Sequence, residues 1–267
     1  MPDDPVKSNE ILLYVDATDP YSAKVNCWLD YKGLEFSIIH VSPLSRRQIG
    51  FTAQSTLPVL RIGDEWRVDS TQIGLWLEER FPDRPLLGRT RTQREIILQL
   101  NQWVDTRLVT ALLERYGRNE SFFDKVRNGW RLSAVLNRAR SFSPLVRMIW
   151  PIILHRRVNN NASVAAAQQT LQETDLQVCR EWLERLGQGP FLGELSEPSL
   201  ADLGTFPQWL LPYRLGLHWH HTFLEFPAIL NWMQRVQATL PANPLLVSED
   251  FLVRPFPGEE KSVNGKR

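Results

Sequence analysis

Apolar positions change their period several times within the first ninety residues. Ile11 to Val15 is an unbroken apolar run of strand length, Pro20 to Tyr31 carries a helical pattern, and Leu34 to Val41 predicts a second strand. Pro58 to Ile62 and Glu65 to Val68 flank a tight Gly63-Asp64 turn, the pattern of a two-strand hairpin. Ser70 then opens a helix whose apolar positions Ile73, Leu75, Trp76 and Leu77 run to Phe81, where Pro82 stops it. The order strand, helix, strand, short helix, hairpin, helix predicts a small α/β unit whose first two strands are parallel.

From about Thr92 onward the strand pattern disappears and a 3.6-residue period takes over. Helices are expected over Gln93 to Arg115, Ser121 to Ser141, Pro144 to Arg157, Ala162 to Leu186, Ser199 to Leu217 and Phe226 to Leu240. The segment 83–92, with Pro85 and Gly88, reads as the linker between halves. The expected organisation is an α/β domain over 8–88, an all-helical domain over 92–250 with a basic insertion at 121–160, and a polar tail over 251–267. No repeat at a fixed period is present.

Composition narrows the class. With 43% hydrophobic residues and ten Trp among 267, the chain has ample apolar material for a core. Cys27 and Cys179 are its two cysteines, which excludes a disulfide framework and fits a reducing compartment. Lys plus Arg (31) nearly balance Asp plus Glu (30), so a nucleic-acid partner is not expected from net charge. The polar, acidic N-terminus lacks an apolar signal core, and a cytoplasmic location is expected. The longest apolar run, around Met148 to Leu154, falls well short of the roughly 20 residues of a membrane span.

Four local patterns carry chemistry. Leu13 to Val25 reads as strand, turn and helix start, with the turn Thr18-Asp19-Pro20-Tyr21-Ser22 between them. Ser55-Thr56-Leu57-Pro58-Val59-Leu60 precedes the hairpin, and Val68-Asp69-Ser70-Thr71-Gln72-Ile73 follows it. In the helical half, Phe191-Leu192-Gly193 precedes Pro198-Ser199-Leu200-Ala201-Asp202-Leu203, an N-cap Ser with Asp in the usual Glu place of a capping box. Together they resemble the glutathione S-transferase superfamily over about residues 11 to 240. The first is similar to the thioredoxin-fold active-site turn, which reads CPxC or SPF; the others are similar to the family's xVPxL, ESxAI and PSxAD elements.

The resemblance implies an α/β thioredoxin-like domain followed by an all-α domain, and glutathione as cosubstrate. It implies a cis bond before Pro58 that turns the Leu57 backbone toward the tripeptide, pairing with it like a sheet edge. Asp69 and Ser70, at a helix N-terminus, would meet the γ-glutamyl group. The turn from Thr18 through Asp19 to Ser22 would face the sulfur, and the helical half would supply an apolar pocket for a hydrophobic electrophile. A homodimer is implied as well. Within the superfamily the chain most resembles the prostaglandin E synthase 2 type, through Leu13-Tyr14, Lys24-Val25, Asp30-Tyr31, Arg46-Arg47 before Phe51-Thr52, and Pro190-Phe191-Leu192-Gly193.

One position departs from the family pattern. Where a Cys, Ser or Tyr would assist the thiolate, this chain has Asp19, and Ser22 stands where a second Cys would be. A carboxylate cannot donate a hydrogen bond to a thiolate unless protonated, and its charge raises a thiol's pKa. Thiol-disulfide exchange at the turn is excluded, while Thr18 or Ser22 retains a hydroxyl to offer. Asp19 also suits the N-cap of a helix with Pro20 at its first position. The alternative to a transferase is thus a catalytically silent protein of the same fold that binds a partner or membrane.

The basic insertion carries eight cations, including Arg127, Arg131 and Arg147, against Asp124, with Trp130 and Trp150 interleaved. It reads as a peripheral contact with an anionic membrane or as a solvated basic face. His218-Trp219-His220-His221 lacks a carboxylate at helical spacing, so no metal site is expected. Cys27 is expected to be a buried, inert thiol. The sequons at Asn119 and Asn161 are expected to stay unmodified.

Overall fold

The computed structural model describes residues 10–42, 47–54, 56–112, 122–139, 171–217 and 221–259. The expected helix over 144–157, most of the basic insertion, His218 and His220, both sequons and the end of the polar tail lie outside the described residues.

The first half is a four-stranded sheet in the order β2-β1-β3-β4. β1 (Ile11–Val15) pairs in parallel with β2 (Ser37–His40) and antiparallel with β3 (Val59–Ile62), which forms the expected hairpin with β4 (Glu65–Val68). Side chains alternate across the pleat. Leu13, Val15, Leu60 and Ile62 join the main core beneath α1 (Pro20–Lys32) and α2 (Ser70–Arg80). Leu12, Tyr14 and Val59 form a smaller cluster on the opposite face with Val41 and Ile49, the latter from a short 3-10 turn at Arg47–Ile49.

β2 is shorter than the apolar pattern suggests because residues just before it finish α1. Gly33 takes a left-handed conformation and closes the helix, and the Leu34 N–H still donates to Leu29 O at 3.1 Å. Pairing with β1 starts only at Leu12↔Ser37. α1 itself is buried on nearly all sides, ten of its thirteen residues, because it lies between the sheet and the helical half. Trp28 Nε1 donates across that boundary to Leu200 O at 3.2 Å.

The second half is helical. α3 (Arg91–Trp103) opens with a capping box between Thr90 and Gln93 and continues into a wide π turn at Val104–Leu108. Then come α4 (Phe122–Ala139), α5 (Leu171–Leu186), α6 (Leu200–Arg214) and α7 (Pro227–Gln237). Trp182, Trp209 and Trp232 centre this core, with ring centroids 4.6 to 6.0 Å apart in edge-on contacts. The Ser199–Asp202 capping box forms as expected. No described helix is long and apolar enough to cross a membrane.

Candidate functional site

The sheet register gathers the three N-terminal motifs. Tyr14 pairs with Val59, and Val59 pairs with Val68. The chain leaving β1, the chain entering β3 and the chain leaving β4 therefore meet at one end of the sheet, the carboxyl end of the parallel pair. That end carries the turn 16–19, the Leu57-Pro58 step and the Asp69-Ser70 start of α2. The Leu57-Pro58 peptide is cis, as the motif implied.

In the turn, Asp19 caps α1. Its Oδ2 accepts the Ser22 backbone N–H at 2.9 Å and the Ser22 hydroxyl at 2.8 Å. Asp16 treats Thr18 in the same way, its Oδ1 accepting the backbone N–H at 2.9 Å and the hydroxyl at 2.8 Å. Both hydroxyls expected to face a sulfur thus give their protons to carboxylates, and Ser22 is fully buried. Burial foremost, and then the charge of Asp16, pushes the Asp19 carboxyl up to about 6 against the Ser22 hydrogen bonds. His40, paired with Val15 in register, is lowered by burial while Asp16 opposes that shift.

At the head of α2, Asp69 accepts the N–H groups of Thr71 at 2.9 Å and Gln72 at 3.1 Å. Its backbone has φ 69° and ψ 121°. A non-glycine residue held there stores about 1–3 kcal/mol, strain that concentrates at ligand clamps. Ser70 beside it is buried.

Packing of the helical half against α1 and α2 adds Asn101 and Asp105, which no motif had marked. Lys24, one turn beyond Tyr21 and fully buried, places Nζ 2.8 and 3.0 Å from the two carboxylate oxygens of Asp105 in the π turn. Asn101 Nδ2 bridges Asp105 Oδ2 at 3.1 Å and the Thr71 hydroxyl at 3.4 Å. Burial lowers the Lys24 ammonium, and Asp105 opposes the shift. Burial and then Asp105, Asp19 and Asp69 push the Tyr21 phenol up, so it stays a protonated donor amid three carboxylates. Lys24 stands in patterns already noted along the chain, but nothing in its spacing pointed to Asp105 as its partner.

Elsewhere, Cys27 is buried with its thiol pushed up by burial, in line with an inert role. Among the described residues no group of acids, His or Cys is arranged to hold a metal ion.

Residues 13–85 match the family model of the glutathione S-transferase N-terminal domain. Human glutathione S-transferase T1-1 is similar in structure with a TM-score of 0.58 at 19% identity, covering 90% of this chain and 91% of that one. The β-etherase LigF of a Sphingobium species scores 0.58 at 21% identity, over 87% of this chain and 96% of its own. Human glutathione transferase theta-2, solved with glutathione, scores 0.54 at 18% identity, over 88% and 84%. The chain therefore has the two-domain glutathione transferase fold, and its first domain matches the N-terminal domain family of those enzymes.

Proposed function

We propose that the protein binds glutathione at the end of its N-terminal sheet and presents the thiol to a hydrophobic electrophile held against the helical half. The observation that carries this reading is the register Tyr14↔Val59↔Val68, which brings three separate sequence motifs to one sheet end. In this reading the Leu57 backbone pairs with the cysteinyl part of the tripeptide, and Ser70 with the strained Asp69 anchors the γ-glutamyl group. A carboxylate of the ligand gains from the amino end of α2. The glutathione present in the theta-2 structure supports the same ligand class here.

The likeness to prostaglandin E synthase 2 finds no support in these comparisons, and chemistry resting on a turn cysteine has none at Asp19 or Ser22. The silent-protein alternative rests on Asp19 in place of the usual Cys or Ser, and the basic insertion through which it would bind a partner or membrane lies mostly outside the described residues.

Calorimetric titration of reduced glutathione tests the reading. Ser70→Ala should weaken binding by about 1–3 kcal/mol, the range for a charged group losing a hydrogen bond. Absence of binding to the native protein at millimolar ligand would remove the proposal.

A further inference from the structure

The head of α2 is held from outside its own helix as well as from within. Asp69, with φ 69°, caps the helix by accepting the Thr71 and Gln72 N–H groups. A backbone in that region persists only where its surroundings over-determine it. A tie to the helical half comes from Asn101 on α3, whose Nδ2 donates to the Thr71 hydroxyl oxygen at 3.4 Å.

Asn101 is built into this place. It is 2% exposed, and its amide donates to two different elements, to Thr71 on α2 and to Asp105 Oδ2 in the π turn at 3.1 Å. Turning the amide over would set its oxygen against the Asp105 carboxylate, so the direction of the donors is fixed. Asp105 is in turn gripped through both oxygens by the Lys24 ammonium. The Lys24 stem passes α6 at Gly204, where a Cβ would stand 2.8 Å from Lys24 Cε. The chain Lys24–Asp105–Asn101–Thr71 thus runs from α1 through the helical half to the second residue of α2, next to Ser70. Asn101 Oδ1 is buried without a hydrogen-bond partner among the described residues. An apolar side chain of similar size would avoid that cost, so the donor pair is what this position uses.

We propose, resting on the glutathione reading above, that Asn101 is a positioning residue for the γ-glutamyl group. It acts without touching the ligand. By holding Thr71 it keeps the first turn of α2 in the geometry in which Ser70 and the helix amino end receive the ligand's α-carboxylate. A helix end without such a hold frays, and the ordering it must then undergo on binding weakens affinity. Discrimination for that carboxylate therefore depends in part on the helical half.

The test compares glutathione with its decarboxylated analogue, 4-aminobutyryl-cysteinyl-glycine, by calorimetric titration into the native protein, Asn101→Ala, Thr71→Val and the double variant. The native protein should bind glutathione more tightly than the analogue. Asn101→Ala should weaken glutathione by about threefold to tenfold, the range for one hydrogen bond, and leave the analogue's affinity nearly unchanged, so that the ratio narrows. Thr71→Val keeps the side-chain shape but removes the acceptor, and should narrow the ratio to the same degree. The double variant should narrow it no further, because both substitutions break one contact.

A loss of packing alone would weaken both ligands alike and leave their ratio as in the native protein. That result overturns the proposal, and so do losses that multiply in the double variant. Should Asn101→Ala fail to fold, Thr71→Val at its half-buried position carries the same comparison. Equal native affinity for the two ligands would also overturn the proposal while leaving glutathione binding intact. If the native protein binds neither ligand, the glutathione reading itself fails and this inference falls with it.

Discussion

Lys24 and Asp105 are 81 positions apart in the chain, yet the Lys24 ammonium lies 2.8 and 3.0 Å from the two Asp105 oxygens at the boundary between the halves. The Lys24 side chain is fully buried, whereas Asp105 keeps 22% of its side-chain surface exposed. The two partners therefore differ in what each leaves behind when the other is removed.

Asp105→Ala strands a buried ammonium and should cost about 3–5 kcal/mol. Lys24→Met, close in volume, leaves a carboxylate that water can reach and should cost clearly less. Urea midpoints at matched m-values check this. Equal losses would mean that the pair acts as packing rather than as charge.

Asp202 is expected to be among the most sensitive positions in the helical half. Its Oδ1 accepts from Leu192 N–H at 2.9 Å and Trp232 Nε1 at 2.7 Å, and its Oδ2 from the Ser199 N–H and hydroxyl at 2.9 and 2.7 Å. Asp202→Ala leaves four buried donors without an acceptor, and at about 1–3 kcal/mol for each unsatisfied group it should abolish soluble folded protein. Trp232→Phe removes one donor and opens a small void, so it should lower the thermal midpoint while leaving the protein folded.

At Gly74, α2 lies against Leu200 of the helical half and Trp28 of α1. A Cβ there would stand 2.4 Å from Leu200 Cδ1 and 3.2 Å from the Trp28 ring. Gly74→Ala should destabilise by about 1–3 kcal/mol despite Ala's better helix propensity. Adding Leu200→Ala relieves the clash, so the double variant should lose less than the two single losses combined. Additive losses would place the strain elsewhere.

Stability should fall as pH rises between about 4 and 6. Burial raises Asp19 and Asp30 from 3.8 to about 6, so the folded state holds protons that the unfolded chain has released. The stabilisation from each raised group is complete below the unfolded value and is lost as pH climbs through the folded one, with an upper limit of about 3 kcal/mol each. Thermal midpoints of the native protein and Asp30→Asn across this range should show a shallower slope in the variant. A slope unchanged by the substitution would exclude Asp30 from the effect.

Much of the fold is legible along the chain because its signals are local. Asp19-Pro20 and Gly33 mark the ends of α1, and Gly63-Asp64 marks the hairpin. The Ser199–Asp202 box marks the start of α6. Where the pattern misled, a local bond explains it: Leu34, apolar and adjacent to β2, is still tied to Leu29 in the close of α1. The π turn after Trp103 left no trace, since Val104 to Leu108 keeps an ordinary helical alternation of apolar and polar residues.

By itself the sequence determined which segments are strand or helix, where they are capped, and which motifs stand along the first domain, because period, capping and turn chemistry act over a few neighbouring residues. The tertiary structure decided what those motifs face. Register brought Asp19, Leu57 and Asp69 to one sheet end, and domain packing added Asp105. The Thr18 and Ser22 hydroxyls turned toward carboxylates. Such choices depend on which donors and acceptors burial leaves in reach of one another, which spacing along the chain does not encode.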